Sequence, residues 1–264
     1  MMYNNIIYNI QKLKKYMTRK RQTKSEDTPE KLAPTSKINL QKLSVDIKCK
    51  NASQKKLLSL INSNDITICS GPAGTGKTFL ACAHALKMLK TEDRFRKILL
   101  VKSVTVLEGE DVGFLKGDLK EKMFPFTISF LDNFYKIIGE DNTNAMLNEG
   151  LIEVLPLAYI RGRSIDNSII IVDEAQNISL KNMRSTLTRI GENSKMIITG
   201  DSKQIDIKNK RLSSLDTVVS LFSGKTGIGT MSFLTSDIVR SPIVRMIEDE
   251  FDQIEENEKN NKRQ

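Results

Sequence analysis

The amino-acid sequence lacks the patterns of a secreted, zinc-binding or membrane-spanning protein. Its three cysteines, Cys49, Cys69 and Cys82, show no C-x-x-C spacing, which argues against a disulfide framework and a structural zinc site. No apolar run approaches the roughly 20 residues that cross a bilayer. The single histidine, His84, lies inside an apolar helical stretch, where a packing or surface role is more usual than catalysis. We therefore expect a reduced, cytoplasmic protein that does not enter a membrane.

Acidic residues are missing from the first 24 residues, which contain seven basic ones. Without this segment the formal net charge of the chain falls from +9 to +2. A basic arm binds phosphate backbones by releasing counterions, or is simply a solvated tail, and the sequence leaves both open. We expect residues 1–47 to be a basic, disordered leader and linker, and residues 251–264 a polar, disordered tail. Met17 begins a more ordinary start, MTRKRQ, so translation from Met17 is a further hypothesis.

Apolar runs rich in β-branched residues alternate with helix-like stretches between these two ends. We expect strands at 66–70, 97–101, 151–155, 168–172, 195–199 and, more weakly, 228–234. We expect helices at 51–62, 77–90, 118–138, 179–190, 211–222 and 238–250. Because strands that alternate with helices form crossover units, this order predicts an α/β fold with a mostly parallel sheet flanked by helices. Residues 48–250 are expected to form its single core.

The strongest motif is SGPAGTGKT at residues 70–78, which matches G-x-x-x-x-G-K-[ST] between an expected strand and an expected helix. Its glycines allow backbone N–H groups to surround phosphate oxygens, and the helix N-terminus adds a positive field. In this motif the lysine reaches the β and γ phosphates and the hydroxyl residue binds Mg²⁺. The residues expected to bind ATP here are Gly71, Pro72, Ala73, Gly74, Thr75, Gly76, Lys77, Thr78 and Phe79.

Two further apolar runs end in polar residues that suit the same chemistry. IIIV at 169–172 is followed by Asp173 and Glu174, which we expect to hold Mg²⁺ and to deprotonate the attacking water, respectively. IIT at 197–199 is followed by Gly200 and Asp201, with Gln204 placed to sense the γ-phosphate. Read alone, the acidic pair also suits a helix cap, and Gly-Asp alone is more simply a turn.

GPAGTGKT, VDEAQN and TGDSKQID, in this order, resemble the PhoH-like family of P-loop ATPases. GFLKGDLKEK at 113–122, PLAYIRGRSIDN at 156–167 and SDIVRSPIV at 236–244 extend the resemblance over residues 48–250. The resemblance implies a RecA-like P-loop NTPase core similar to the first half of superfamily 1 helicases. It also implies that ATP and Mg²⁺ are bound and that ATP is hydrolysed.

The family resemblance implies roles for residues outside the three motifs. Gln54 resembles a glutamine that reads adenine, although an ordinary helix-surface glutamine is an equal alternative. Gln204 resembles the residue that couples ATP state to the grip on nucleic acid. Arg240 resembles an arginine that reaches the γ-phosphate, with a surface salt bridge on the last helix as the alternative. Arg161 and Arg163 suit a finger for a neighbouring subunit, a phosphate-backbone clamp or two solvated charges.

The sequence departs from the family pattern at two sites. Lys102-Ser103 stands where the family usually has R-P, so a bidentate guanidinium is lost there. Ser241 replaces the histidine of V-R-H-P, so no histidine chemistry carries over to that position.

The leading hypothesis is Mg²⁺-dependent ATP hydrolysis coupled to nucleic acid, with RNA slightly favoured over DNA. Superfamily 1 helicases close ATP between two cores, and this chain has room for one. Strand separation would therefore require a homo-oligomer, and a closed ring in which each subunit completes the next site satisfies that geometry. The resemblance suggests a hexamer. The alternative hypothesis is a binding module for nucleic acid or protein that ATP switches and that turns over slowly.

Overall fold

The computed structural model describes residues 38–103, 119–207, 209 and 213–240, together with 243, 246, 247, 250, 251, 253 and 254. The strands in this part of the chain are β1 (Ile66–Ser70), β2 (Lys97–Lys102), β3 (Ile152–Pro156), β4 (Ser168–Asp173), β5 (Lys195–Gly200) and β6 (Ile228–Ser232). The α-helices are α1 (Ala52–Ser63), α2 (Lys77–Thr91), α3 (Leu119–Ile138), α4 (Glu140–Asn148), α5 (Leu180–Leu187) and α6 (Leu215–Leu221). None of these helices, within the described ranges, is both long enough and apolar enough to cross a membrane.

The six described strands form one sheet in the order β3-β2-β4-β5-β1-β6, and every pairing is parallel. The expectation of an α/β fold with a parallel sheet is therefore confirmed. Each expected strand lies within two residues of an observed one, because each combines an apolar run with β-branched side chains.

The core lies on both faces of the sheet, which explains the nearly continuous apolar strands. Ile169 and Ile171 of β4 face a cluster with side chains from α1 to α4, whereas Ile170 and Val172 face a second cluster with α5 and α6. All four are 0% exposed. Burial of each such side chain stabilises the fold by about 1.5–3 kcal/mol, so β4 is anchored from both sides.

The folded body begins earlier than residue 48. Leu43 is 7% exposed, and Ile38, Leu40, Val45 and Ile47 pack partly buried against the first core cluster. Lys90 at the end of α2 donates a hydrogen bond to Leu43 O at 2.8 Å. The prediction of a leader up to residue 47 is therefore wrong for residues 38–47; residues 1–37 lie outside the described part, as does the Met17 start.

The helix predictions fail mainly at their ends. The helix expected from 211 begins at Leu215, and the one expected to reach 190 ends at Leu187, because Ile190 forms a β-bridge with Ile165. The stretch 238–240 is not helical, since Val239 N donates to Gly74 O at 3.0 Å instead. The described positions 251, 253 and 254 are helical, so the expected disorder of the tail from residue 251 does not hold there. Helix α4 was not expected, because its sequence, EDNTNAMLN, has few apolar residues.

The strand register brings the ends of β1, β2, β4 and β5, and the polar residues there, to one edge of the sheet. Ser70 at the end of β1 lies opposite Gly200 at the end of β5, and Asp173 at the end of β4 lies opposite Lys102 at the end of β2. Ligands of open α/β sheets bind at this carboxyl edge.

Candidate active site

The loop at residues 71–76 connects β1 to α2 at the carboxyl edge of the sheet. Gly71, Gly74 and Gly76 all have positive φ, at 148°, 82° and 87°. Gly76 is the N-cap of α2, and its left-handed conformation turns the chain directly into the helix that starts at Lys77. Because a side chain is strained in that conformation, the spacing of glycines before the lysine has a structural cause in this chain.

Lys77 is 8% exposed, and its ammonium group is held by the loop itself. Nζ donates to Gly71 O at 2.6 Å, to Pro72 O at 2.7 Å and to Thr75 Oγ1 at 3.3 Å. Burial lowers the pKa of Lys77, and nearby acidic groups, including Asp201, oppose this shift. The cation is thus surrounded mainly by neutral oxygens, an arrangement in which an anion would be a strong partner.

Three oxygen-bearing side chains meet beside the N-terminus of α2. Thr78 Oγ1 donates to Asp173 Oδ1 at 3.1 Å, and Thr199 Oγ1 of β5 donates to the same oxygen at 2.7 Å. Hydroxyl and carboxylate oxygens are the donors that Mg²⁺ takes, so the residues present fit this ion. The described residues contain no group of three or more histidine, cysteine or acidic side chains suited to a metal. The protein's own donors to Mg²⁺ would therefore be Thr78 and Asp173, with phosphate and water supplying the rest.

Glu174 follows Asp173 in a strained backbone conformation, with φ 55° and ψ 39°. A left-handed glutamate is uncommon, and such strain concentrates at functional sites. Burial raises the pKa of Glu174, with a further contribution from Asp173, whereas a hydrogen bond from Gln176 and the charge of Lys102 lower it. Lys102 Nζ lies 3.9 Å from Glu174 Oε1, and Gln176 Nε2 donates to Oε2 at 2.7 Å. The carboxylate is therefore both oriented and less acidic than a free glutamate.

Gln176 and Asp201 are two site residues whose roles the sequence analysis missed. Gln176 is fully buried; besides Glu174 it donates to Gln204 O at 2.9 Å and accepts from Asp201 N at 3.0 Å. Asp201 Oδ2 in turn accepts from Ala73 N in the loop at 2.9 Å. The Gly-Asp pair does form a turn, because Asp201 O accepts from Gln204 N at 3.0 Å. The signal that could have found Asp201 was its position at the end of a strand, where ligands of such sheets bind.

The two glutamines expected in the site differ in their surroundings. Gln54 is 3% exposed, donates from Nε2 to Thr75 O at 2.9 Å and accepts at Oε1 from Lys50 N at 2.7 Å. The alternative of an ordinary helix-surface glutamine is therefore wrong: Gln54 supports the phosphate-binding loop. Gln204 is exposed, and its backbone rather than its side chain makes the contacts with Gln176 and Asp201.

The arginines expected near the phosphates lie in two different places. Arg240 crosses the loop, because a Cβ built on Gly74 would come within 2.7 Å of its Cδ and 2.8 Å of its Nε. It precedes the described helical positions, so it is not a charge on the last helix. Arg161 and Arg163 follow β3, and three strands separate β3 from β1 in the sheet. At about 4.8 Å per strand, β3 lies roughly 19 Å from β1 within the sheet, so these two arginines follow a strand that is distant from the loop at residues 71–76.

The remaining positions singled out in the sequence are structural or lie outside the described residues. Ser103 Oγ donates to Asn177 O at 3.0 Å and so ties the end of β2 to the turn after Glu174. His84 is buried in α2, where Nε2 contacts Asn62 Oδ1 at 2.7 Å. Phe79 is half-buried in the first turn of α2. Ser241 and residues 104–118 lie outside the described residues.

Known proteins resemble this chain over most of its length. A family model for "PhoH-like protein" matches residues 46–252. The chain is 40% identical over 206 residues to a PhoH-like protein of Bacillus subtilis (strain 168), which covers 78% of this chain and 64% of that protein. It is 38% identical over 209 residues to a PhoH-like protein of Synechocystis sp., which covers 79% of this chain and 63% of that protein. The chain thus spans less than two thirds of the length of these curated relatives.

A solved structure of a large terminase from a thermophilic bacteriophage also aligns with this chain, with a TM-score of 0.46 and 12% identity over 73% of this chain and 48% of that one. A likeness at this level carries no argument about function. The family match, by contrast, includes the phosphate-binding loop, the Asp173-Glu174 pair and the strand that ends at Gly200. Together with the parallel sheet it supports a P-loop NTPase core, and this chain belongs to the PhoH-like family.

Proposed function

We propose that this chain hydrolyses ATP with Mg²⁺ and couples hydrolysis to nucleic acid, with RNA favoured over DNA. The observation that carries the proposal is the 3.1 Å contact between Thr78 Oγ1, at the start of α2, and Asp173 Oδ1, at the end of β4. This contact brings the phosphate-binding loop against the acidic pair. A loop that only bound phosphate would not require an ionisable carboxylate at the next position, Glu174.

The loop residues bind and orient the triphosphate. Backbone N–H groups at the N-terminus of α2 take phosphate oxygens, and Lys77 exchanges the carbonyls of Gly71 and Pro72 for the β and γ phosphates. Thr78 and Asp173 would hold Mg²⁺, and the bound ion would neutralise phosphate charge. Thr199 fixes the orientation of the Asp173 carboxylate through its 2.7 Å hydrogen bond.

Glu174 acts as the general base. It accepts a proton from the water that attacks the γ-phosphorus as the bond to the β–γ bridging oxygen breaks, leaving ADP and phosphate. Burial raises the pKa of Glu174, which makes it a better proton acceptor than a fully hydrated carboxylate. Gln176 and Lys102 hold it in place through contacts of 2.7 Å and 3.9 Å.

Three outer residues complete the site in this proposal. Gln204, with an exposed side chain on the turn that Gln176 holds, senses the γ-phosphate. Arg240, which crosses Gly74, stabilises the charge that develops on the transferred group. Gln54, whose amide also donates to Thr75 O and accepts from Lys50 N, recognises adenine.

The functional unit in this proposal is a homo-oligomer. The described chain contains one sheet, whereas a closed helicase-like site needs a second face, which a neighbouring copy would supply. A ring of six is the arrangement that the family resemblance suggests. Sedimentation that gives a fully active monomer would refute it.

Steady-state ATP hydrolysis, with and without single-stranded RNA and DNA at low salt, tests the proposal. K77A should lose both binding and turnover, whereas E174Q should bind ATP but lose turnover. The matched control K225Q changes an exposed lysine before β6, at the opposite edge of the sheet, and should behave as the wild type. If E174Q hydrolyses ATP normally, Glu174 is not the base. If wild-type turnover is slow and indifferent to nucleic acid, the ATP-switched binding module is the better account.

A further inference from the structure

Two segments away from the phosphate-binding loop carry positive charge without acidic residues. Residues 156–165 follow β3, and residues 178–191 contain α5. Together they hold five basic side chains and no acidic one: Arg161, Arg163, Lys181, Arg184 and Arg189. None of these five forms an ion pair with a carboxylate among the described residues. Their charge is therefore free to attract an anionic ligand.

Contacts join the two segments into one surface. The guanidinium of Arg161 donates to Asn182 Oδ1 on α5, and Arg189 Nη1 donates to Arg163 O at 3.3 Å. Ile165 N donates to Arg189 O at 3.0 Å, which adds a backbone connection. Lys181 and Arg184 are three residues apart on α5, and both are exposed, so they share a helix face.

Acidic residues directly follow each of the two segments in the sequence. Asp166 and Glu192 come directly after the two segments, close to where β4 and β5 begin. Asp166 Oδ1 accepts hydrogen bonds from Ser164 Oγ at 3.2 Å and from Glu192 N at 2.9 Å. This carboxylate is therefore engaged within its own loop. The opposite end of the surface, toward the carboxyl edge of the sheet, is entirely basic in the two segments.

An exposed aromatic ring lies at that basic end. Tyr159 is 50% exposed, although its neighbour Ile160 is 1% exposed and belongs to the second core cluster. The short 3₁₀ turn Leu157–Ile160 is thus fixed to the core while it presents the ring to solvent. Proteins bind single-stranded nucleic acid by combining basic side chains for the backbone with aromatic rings on which bases stack. A duplex would offer the phosphates but no unstacked base.

We propose that Tyr159, Arg161, Arg163, Lys181, Arg184 and Arg189, the Tyr159 surface, bind single-stranded nucleic acid, with Tyr159 stacking on a base and the cations contacting phosphates. This inference rests on the proposed function, because it gives the nucleic acid of that proposal a location.

The surface is also placed to respond to ATP. Pro156 at the end of β3 lies opposite Lys102, and Lys102 lies opposite Asp173, so surface and active site share one edge of the sheet. Helix α5 begins six residues after Glu174, and Ser103 at the end of β2 holds the intervening turn at Asn177. A shift of Glu174 during hydrolysis would therefore reach Lys181 and Arg184 through a short, hydrogen-bonded segment.

Fluorescence anisotropy of labelled oligouridine and oligothymidine with the full chain, over a series of salt concentrations, tests the inference. Y159A should weaken binding by about tenfold at every salt concentration, and Y159F should bind as the wild type. The double variant R161Q/R163Q should reduce the slope of log K against log salt by about 0.7 for each phosphate that is no longer neutralised. K225Q, which removes one exposed lysine just before β6, is the matched control and should change neither the affinity nor the slope. Thermal unfolding of each variant confirms that these exposed substitutions leave the fold intact.

Two results support the inference and three overturn it. The inference is supported if Y159A binds more weakly with an unchanged slope of log K against log salt, and if R161Q/R163Q has a lower slope. The comparison of oligouridine with oligothymidine shows which of the two strands is preferred. Wild-type binding that survives in both variants places the nucleic acid elsewhere and leaves the proposed function standing. Competition by polyglutamate as strong as that by an oligonucleotide shows a general polyanion surface. No binding of any single strand removes the nucleic-acid half of the proposed function as well, whereas the K77A and E174Q assays still decide the ATPase half.

Discussion

Replacement of Gln176 by alanine should destabilise the protein by about 4 kcal/mol, because this fully buried side chain makes three hydrogen bonds. The backbone N–H of Asp201, a residue only 8% exposed, would lose its acceptor in the interior, at a cost of about 1–3 kcal/mol. Gln204 is exposed, so water can hydrogen-bond to Gln204 O after the substitution, and the loss of the bond from Gln176 costs about 0.5–1.5 kcal/mol. The bond to the partly exposed Glu174 carboxylate adds about 1 kcal/mol after allowance for solvent screening.

The same substitution should change the pH dependence of ATP hydrolysis. The hydrogen bond from Gln176 lowers the pKa of Glu174, against a larger increase from burial and from Asp173. Without that bond the pKa of Glu174 rises further, so the base becomes ionised only at higher pH. The acid limb of the rate profile should therefore move to higher pH, and the rate at neutral pH should fall.

Urea unfolding of the wild type and Q176A, followed by circular dichroism, measures the first effect, and a pH–rate profile measures the second. Q176E is the matched variant: its carboxylate still accepts from Asp201 N–H but cannot donate to Gln204 O, and it places a like charge beside Glu174. Its stability should therefore increase as the pH falls and the new carboxyl becomes protonated. A loss below about 1 kcal/mol in Q176A, or an acid limb that stays in place, would refute the reasoning.

Three further expectations follow from buried or strained groups. Burial lowers the pKa of His84 from 6.5 to about 4, so the unfolded chain binds one more proton between these pH values and the free energy of unfolding should fall as the pH drops through this window. Urea unfolding at neutral pH and near pH 4 measures this loss of stability, and in H84Q the loss should be smaller by about 3 kcal/mol. Gly74→Ala places a Cβ at φ +82° and 2.7 Å from Arg240 Cδ, so ATP-analogue binding by calorimetry should weaken about tenfold, and unchanged affinity would show that the loop tolerates the strain. Lys195→Met removes an ammonium that donates to Ile61 O, Asn62 O and Asn64 O at the C-terminal end of α1, and should lower the free energy of unfolding by about 3 kcal/mol, with K225Q as the neutral control.

The sequence was sufficient for those features whose cause is local. The strands β1, β2, β4 and β5 are short, mostly apolar runs, and the loop at 71–76 has its glycines where positive φ is needed, so both could be predicted from neighbouring residues alone. The acidic pair at 173–174 could be placed at the edge of the sheet because a buried strand precedes it. Helix α4 could not be predicted, because its mostly polar residues give no apolar period, and its stability depends on contacts with β3 and α3.

The contacts that organise the site depend on strand order, which the order of elements in the sequence does not specify. Asp201 can reach Ala73 N, 128 residues away, only because β5 lies next to β1, and Gln176 can reach Asp201 N only because β4 lies next to β5. A topology that pairs β1 with β2 would separate these residues. The sequence left the role of Gln54 open for a similar reason, since the burial of its side chain depends on the loop that packs over it.

Strand order also explains why one buried amide can coordinate the whole site. Gln176 contacts Glu174, the proposed base, directly, the turn at residues 201–204 through Gln204 O, and the loop at residues 71–76 through Asp201 and Ala73 N. If Gln204 contacts the γ-phosphate as proposed, loss of that phosphate would disturb the hydrogen bond that orients Glu174, without any movement of the sheet. Because α5 begins six residues after Glu174, the same disturbance has a short path to the Tyr159 surface. If the Tyr159 surface binds a single strand as proposed, such a path would allow ATP turnover to change the grip on that strand from within the subunit.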